Sequence, residues 1–418
     1  MRGSNRRRFL ATAALGTGLA LHSRTASAIA AEARAVDAPG GLTKDDIPTP
    51  ALLLDLDAFE ANLRRISEHC QIHGCAARPH AKTHKCPEIA RRQVGLGARG
   101  VAVATVPEAE AMVAAGIPGV LLTSPIVEPR KIATMVKLAK QSGDLLLAVG
   151  HPREAELLAE AADAERIRVN VLLDLDVGDH RFGSLPGGPA QELARQISRY
   201  PSLRLRGIQA YAGLASHTKG FEARREVSRK AMDQAVQTRE LLTKDGHDVA
   251  FISGGSTGTY NIDSDLPGAV ELQVGSYVFM DVQYRSIGGK NSGAVYTDFQ
   301  PSLTVLTTVV NTNAGDRVSV DAGTKSFATD SPTMPEAKSA EGLRYSFNGD
   351  EFGRLTAEDG GKLPRLGTRL EFYVPHCDPT VNLYNRIYAM RRDNLEAIWP
   401  IVARKEVGGI PESKAVSL

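Results

Sequence analysis

Four cysteines in 418 residues are too few to hold so long a chain as a disulfide scaffold, and Cys70 and Cys75 read as free thiols rather than as a bridge. No internal repeat and no low-complexity segment stands out. An excess of positive charge is missing as well, once its placement is considered. The formal charge is +2, but Arg2, Arg6, Arg7, Arg8 and Arg24 all lie in the first 28 residues with no acid beside them. Removing these five leaves 45 basic against 48 acidic side chains, a net charge near −3, which argues against a nucleic-acid binder or a binder of anionic membranes. The one apolar run near the N-terminus, Ala11 to Leu21, falls short of the roughly 20 residues that a membrane-spanning helix needs.

That N-terminal stretch has the parts of an export signal. Asn5-Arg6-Arg7-Arg8-Phe9-Leu10 precedes the short apolar run, and Ala26-Ser27-Ala28 offers small residues for cleavage. Adjacent arginines before Phe-Leu, with Gly and Thr diluting the apolar run, match the twin-arginine form over residues 1–28. The expected mature protein is periplasmic and soluble, with no membrane association after signal removal.

With 42% hydrophobic residues the remainder can bury a large core. Strand-like runs alternate with helix-compatible segments: Ala76 to Ala81, Val101 to Thr105, Val120 to Thr123, Leu145 to Val149, Val169 to Leu175, Arg206 to Tyr211, Val249 to Ser253 and Leu272 to Val278. Eight such runs predict an α/β fold, a (β/α)8 TIM barrel over residues 45–290, with an open doubly wound sheet as the alternative. Beyond the Gly- and Ser-containing stretch Gly288 to Asp298 the texture turns β-branched, as in Ser302-Leu303-Thr304-Val305-Leu306-Thr307-Thr308-Val309-Val310. A C-terminal β domain over residues 291–405 is expected.

Two stretches carry chemistry. Arg78-Pro79-His80-Ala81-Lys82-Thr83-His84-Lys85 places an amine at the end of the first barrel run, at the face where barrel enzymes keep their active sites. Lys82 there can form a Schiff base with an aldehyde cofactor, and its basic neighbours are expected to lower its pKa. Almost three hundred residues downstream, Pro375-His376-Cys377-Asp378-Pro379-Thr380-Val381-Asn382-Leu383-Tyr384 offers an imidazole and a carboxylate at i and i+2. A strand would turn His376 and Asp378 to one face as metal ligands, and Cys377 to the other. Two protein ligands leave positions open for water and substrate, as a catalytic ion requires. Imidazole with carboxylate accepts Mn²⁺, Zn²⁺, Mg²⁺ or Co²⁺ alike.

A phosphate site is expected in the loop Ser253-Gly254-Gly255-Ser256-Thr257-Gly258-Thr259, which follows the seventh run, with Gly275-Ser276-Tyr277 completing the cradle. The candidate contacts are Gly255, Ser256, Thr257, Gly275, Ser276 and Tyr277. The loop carries neither Gly-Lys-Ser/Thr nor a dinucleotide fingerprint. Taken alone, such a loop is more often a simple turn.

In this order and at this distance, the lysine stretch and the His-Cys-Asp stretch resemble the D-threonine aldolase and D-serine dehydratase family of pyridoxal phosphate enzymes. The resemblance runs from about Ile47 to Ala403 and implies a fold-type III enzyme, an alanine racemase-like barrel with a β domain. It implies pyridoxal 5'-phosphate on Lys82, with Arg181 and Tyr211 near the cofactor ring, a divalent metal on His376 and Asp378, and a homodimer. Without the resemblance, Arg181 and Tyr211 would read as a surface Arg–Asp partner and a packed tyrosine. Asp378 tilts the expectation toward an aldolase cleaving D-3-hydroxy amino acids such as D-threonine to glycine and an aldehyde. The alternative is a dehydratase of D-serine or D-3-hydroxyaspartate that yields a 2-oxo acid and ammonia. A racemase on the same fold would have no use for the metal pair. The substrate side chain beyond Cβ, the metal, and the roles of His80, His84 and Asp321 are left open at this level.

Overall fold

The computed structural model of the chain describes residues 34–358 and 361–404. The basic N-terminal stretch and its cleavage site lie outside the described residues. Eight parallel strands, Ala76–Ala77, Ala102–Val103, Leu121–Leu122, Leu146–Val149, Val169–Leu175, Leu203–Ala210, Phe251–Gly254 and Val270–Leu272, form one sheet. Its two ends, Ala76–Ala77 and Ala102–Val103, meet: Ala102 N–H donates to Pro79 O at 2.8 Å, and a parallel bridge joins His80 to Ala102. The TIM-like barrel is therefore the observed architecture. Helices on its outside bury one face each. In Leu56–His73, for example, Leu56, Phe59, Leu63, Ile66 and Cys70 are buried at helical spacing. Asp55 caps that helix by accepting from Ala58 N–H, and Gly74 ends it in the left-handed conformation at φ 65°.

The last barrel run differs from expectation. It ends at Leu272, and Gly275-Ser276-Tyr277-Val278 turns instead through a short 3-10 helix, Ser276–Val278. The chain thereby leaves the sheet and carries the Gly275–Ser276 backbone across the barrel mouth.

Ten strands make a second, mostly antiparallel sheet, and its membership corrects the expected division of the chain. Ala51–Asp55, placed by sequence in the barrel segment, pairs with Leu303–Asn311 on one side and Arg386–Arg391 on the other. Leu52 and Leu54 on one face and Leu53 on the other are all buried, as a central strand requires. Asp321 finds its role here. It accepts from Thr308 N–H at 2.7 Å and from the Thr49 hydroxyl at 2.5 Å, tying the entry of that strand to its neighbour.

The two sheets are locked together beside the barrel mouth. Val282 N–H donates to Val374 O at 3.1 Å and Gln283 N–H to Pro375 O at 3.2 Å. Asp281 is fully buried, and its two oxygens accept from Tyr284 N–H at 2.8 Å and Cys377 N–H at 2.9 Å. This joint brings the His376–Asp378 segment over the C-terminal ends of the barrel strands.

Among the described residues, no helix is long and apolar enough to cross a membrane.

Candidate active site

Lys82 and Asp378, 296 residues apart in the chain, meet at the barrel mouth with Nζ 2.7 Å from Oδ2. Lys82 sits in a 3-10 turn, Ala81–Thr83, and reaches into a cleft of about 170 Å³. Arg181, Tyr211, Ser256, Thr257, Gly275 and Ser276 line the same cleft, so six further sequence candidates converge on it. Tyr277 does not. Its ring is buried behind the loop, where its hydroxyl accepts from Gln93 Nε2 at 3.1 Å, and only its backbone N–H serves the cradle, donating to Thr257 Oγ1 at 3.0 Å. Gly255 lies one layer back with φ at +74°, where a Cβ would come within 3.0 Å of Asp263 Oδ2.

The expected depression of the Lys82 pKa is overturned. Its basic neighbours are neutralised elsewhere: Arg78 makes two bonds to Glu271, at 2.7 and 2.9 Å, and Lys85 pairs with the buried Glu108. The Asp378 carboxylate then dominates and holds the Lys82 ammonium above its ordinary range, against the opposing effect of burial. For Asp378 itself burial pulls upward, but Lys82 overrides it and keeps the carboxyl well below the usual range.

His80 and His84 are neutral packing residues. Burial lowers both, with the Lys82 charge adding to the effect at His80, and His84 falls to about 3. His80 Nδ1 accepts from Lys82 N–H at 3.4 Å. Its Nε2 meets Thr123 Oγ1 at 3.2 Å, and since that hydroxyl already donates to Val103 O, Nε2 carries the proton.

His376 and Asp378 do not lie on a strand. The sheet strand ends at Tyr373, His376 caps a short helix, Cys377–Val381, and Asp378 is in its first turn. Pro379 at the third helical position cannot donate, so it suits a first turn and would break a ladder. Cys377 is fully buried between them. Sequence reasoning missed Asp330, whose Oδ2 lies 2.7 Å from His376 Nδ1. A carboxylate there fixes the ring so that Nδ1 carries hydrogen and the Nε2 lone pair stays free, the arrangement of a metal-ligating histidine. No spacing signal links Asp330 to His376; only the fold does. Among the described residues, no group of three or more His, Cys, Asp or Glu is arranged to hold a metal ion.

The aromatic wall is built by two loops. Asp176 accepts from Gly178 N–H and His180 N–H, and Asp179 accepts from Gly213 N–H at 2.7 Å and Leu214 N–H at 3.0 Å. So held, the Arg181 guanidinium lies 4.4 Å from the Phe182 ring centroid and 5.6 Å from that of Tyr211. A second missed residue is Thr83. It is buried and borders the cleft beside Lys82, with its hydroxyl positioned to help hold the Asp378 carboxylate ionised. A Cβ on Gly275 would come within 2.6 Å of the Thr83 hydroxyl oxygen, so only glycine fits the approach. The amide N–H groups of Thr257 and Gly258 have no protein acceptor among the described residues. Free donors at one end and an amine at the other fit an aldehyde carrying a phosphate.

Asp174 is buried near the C-terminal end of the strand Val169–Leu175, where its Oδ1 accepts from Gln209 Nε2 at 2.7 Å. Burial raises its carboxyl to about 7, with the Gln209 bond only partly offsetting it. A folded-state pKa above the unfolded value means that ionisation costs stability as pH rises from about 4 through about 7, by on the order of 4 kcal/mol once complete. Asp174→Asn keeps an acceptor for Gln209 and removes the charge. Its melting temperature is expected to exceed the wild type by about 5 °C or more at alkaline pH, a gain that vanishes near pH 4. Calorimetry across that range checks it, and a pH-independent difference would show that the charge is not the cause.

Comparison with known proteins agrees with this geometry. Residues 54–283 match the family model "Alanine racemase, N-terminal domain", and residues 302–390 match "Putative serine dehydratase domain". A D-threonine aldolase of Arthrobacter sp is 39% identical over 86% of this chain and 93% of its own. A 3-hydroxy-D-aspartate aldolase of Paracoccus denitrificans is 32% identical over 87% and 94%. Among solved structures, D-threonine aldolase from Filomicrobium marinum superposes with a TM-score of 0.84 at 34% identity, covering 89% of this chain and 100% of that one.

Proposed function

The chain belongs to the D-threonine aldolase and D-serine dehydratase-like family of pyridoxal phosphate enzymes, and on that premise we propose that it is a metal-dependent lyase cleaving D-3-hydroxy amino acids to glycine and an aldehyde. One observation supports the reading most strongly. Asp378 and Lys82, from opposite ends of the chain, meet at 2.7 Å beside the cleft that Lys82 lines, with His376 two residues from Asp378.

Lys82 Nζ supplies the amine for the cofactor aldehyde. The free N–H groups of Thr257 and Gly258, with the hydroxyls of Thr257 and Ser276, supply donors for its phosphate, while the Ser256 hydroxyl donates to Thr259 Oγ1 and holds the loop. Arg181 and Tyr211 form the wall beside its ring. The cofactor's contribution is an electron sink for the pair released when the Cα–Cβ bond breaks. His376 Nε2 and the Asp378 carboxylate would hold the divalent ion, whose contribution is to lower the pKa of the substrate 3-hydroxyl. Asp330 keeps the His376 ring turned for that task, and Asp281 fixes the backbone between the two ligands. The buried, neutral His80 cannot store positive charge beside Lys82.

Product analysis tests the proposal. The purified protein, with pyridoxal phosphate and Mn²⁺, is expected to release glycine and an aldehyde from D-threonine or D-phenylserine and to leave the L-isomers intact. Ammonia with a 2-oxo acid from D-serine or D-3-hydroxyaspartate would assign it to the dehydratases instead. The proposal includes export by the twin-arginine route and a homodimer. Fractionation of cells carrying an Arg6–Arg7→Lys-Lys variant tests the first, and light scattering tests the second.

A further inference from the structure

Behind the phosphate loop lies a fully buried arginine without a carboxylate partner. Arg224, on the long helix Phe221–Lys244, makes all its hydrogen bonds to backbone carbonyls. Nε donates to Gly258 O at 2.7 Å, Nη1 to Thr218 O at 2.8 Å and Ile287 O at 3.2 Å, and Nη2 to Gly288 O at 2.8 Å. Its guanidinium lies 5.5 Å from the ring centroid of Tyr296, and the Tyr296 hydroxyl donates to Thr257 O at 2.7 Å.

Two consecutive carbonyls of the loop, Thr257 O and Gly258 O, are therefore pulled to the buried side by this pair. A trans peptide places N–H opposite C=O. Pinning Thr257 O backward thus turns Gly258 N–H forward, toward the side on which Ser256 and Thr257 line the cleft. The next amide, Thr259 N–H, closes the turn on Ser256 O at 3.1 Å. Gly258 has no room for a side chain, because a Cβ there would lie 2.2 Å from Ser216 O. The loop cannot rotate without breaking both clamps.

Charge points the same way. Burial still outweighs the nearby Asp298 carboxylate at Arg224, and an anion held on the other face of the loop would add to that compensation. We propose that Arg224 and Tyr296 are positioning residues that set the phosphate cradle, Arg224 also acting as the buried charge complement of the bound phosphate. The inference rests on the cofactor reading given above.

Two aldehydes separate the possibilities. Full-length apoprotein is titrated with pyridoxal phosphate and with pyridoxal, which lacks the phosphate, and followed by absorbance. Arg224→Gln is expected to weaken pyridoxal phosphate by about 10- to 100-fold while changing pyridoxal by less than about threefold, with Arg224→Lys recovering part of the loss. Tyr296→Phe, which removes one hydroxyl and no charge, is expected to weaken pyridoxal phosphate by roughly tenfold and to leave pyridoxal unchanged. Equal losses for both aldehydes, or unchanged affinity for pyridoxal phosphate, would overturn the inference. If Arg224→Gln does not fold, Tyr296→Phe decides. Failure of the wild type to bind pyridoxal phosphate would instead overturn the cofactor reading.

Discussion

Lys82→Ala is expected to abolish the absorbance band of the bound cofactor and to lower kcat/KM on order of 10³-fold or more. The expectation follows from the position of the residue. Lys82 is the amine at the cleft mouth, whereas Lys85 is consumed by the buried Glu108 and Arg78 by Glu271. No neighbouring cation can take its place. Lys82→Arg keeps the charge facing Asp378 but cannot act as a neutral amine, since a guanidinium stays protonated. It should preserve the melting temperature while losing the absorbance band. Retention of the band in both variants would move the cofactor amine elsewhere and remove the basis of the proposed function. The alanine variant also separates attachment from recognition, because the phosphate donors around Thr257 and Gly258 are untouched by it.

Much of this site is legible in the sequence because its parts are local. Lys82 ends a short apolar run, the Gly-Ser-Thr loop follows the seventh run, and His376 and Asp378 stand two residues apart. Eight alternations of strand and helix carry the barrel. What the sequence cannot display is pairing across distance. The basic cluster around Lys82 suggests a lowered pKa only while Glu271, Glu108 and Asp378 are out of view, and each of those is far away in the chain. Ala51–Asp55 reads as any buried strand would, and its place in the second sheet is set by Leu303–Asn311 and Arg386–Arg391. His-x-Asp fits strand alternation and a helical first turn equally well until Pro379 and the Asp281 joint decide between them. Asp330, Thr83, Arg224 and Tyr296 have no motif at all. Each acquires meaning only from its contacts in the fold.

His376→Ala is expected to reduce activity with Mn²⁺ by on the order of 10³-fold while leaving the cofactor absorbance in place, whereas Asp378→Asn, which also removes the charged partner of Lys82 Nζ, is expected to cost as much activity and to alter cofactor attachment as well. His376 lies on a different element from Lys82 and from the phosphate loop and pairs with Asp330 instead, so in its variant metal loading is lost separately from cofactor loading. EDTA should reproduce the effect in the wild type, and added Mn²⁺ should reverse it there but not in the variants. Asp330→Asn supplies the graded case. It keeps an acceptor near His376 Nδ1 but removes the charge that orients and strengthens the imidazole, so metal affinity should fall by about 10- to 100-fold with kcat at saturating metal nearly restored. That pattern, a metal requirement shifted in concentration rather than in rate, distinguishes a residue acting through His376 from one touching the substrate. Full activity after chelation would show that the pair serves no ion in turnover. The racemase chemistry possible on the same barrel, which needs no metal, would then become the leading account of the cleft.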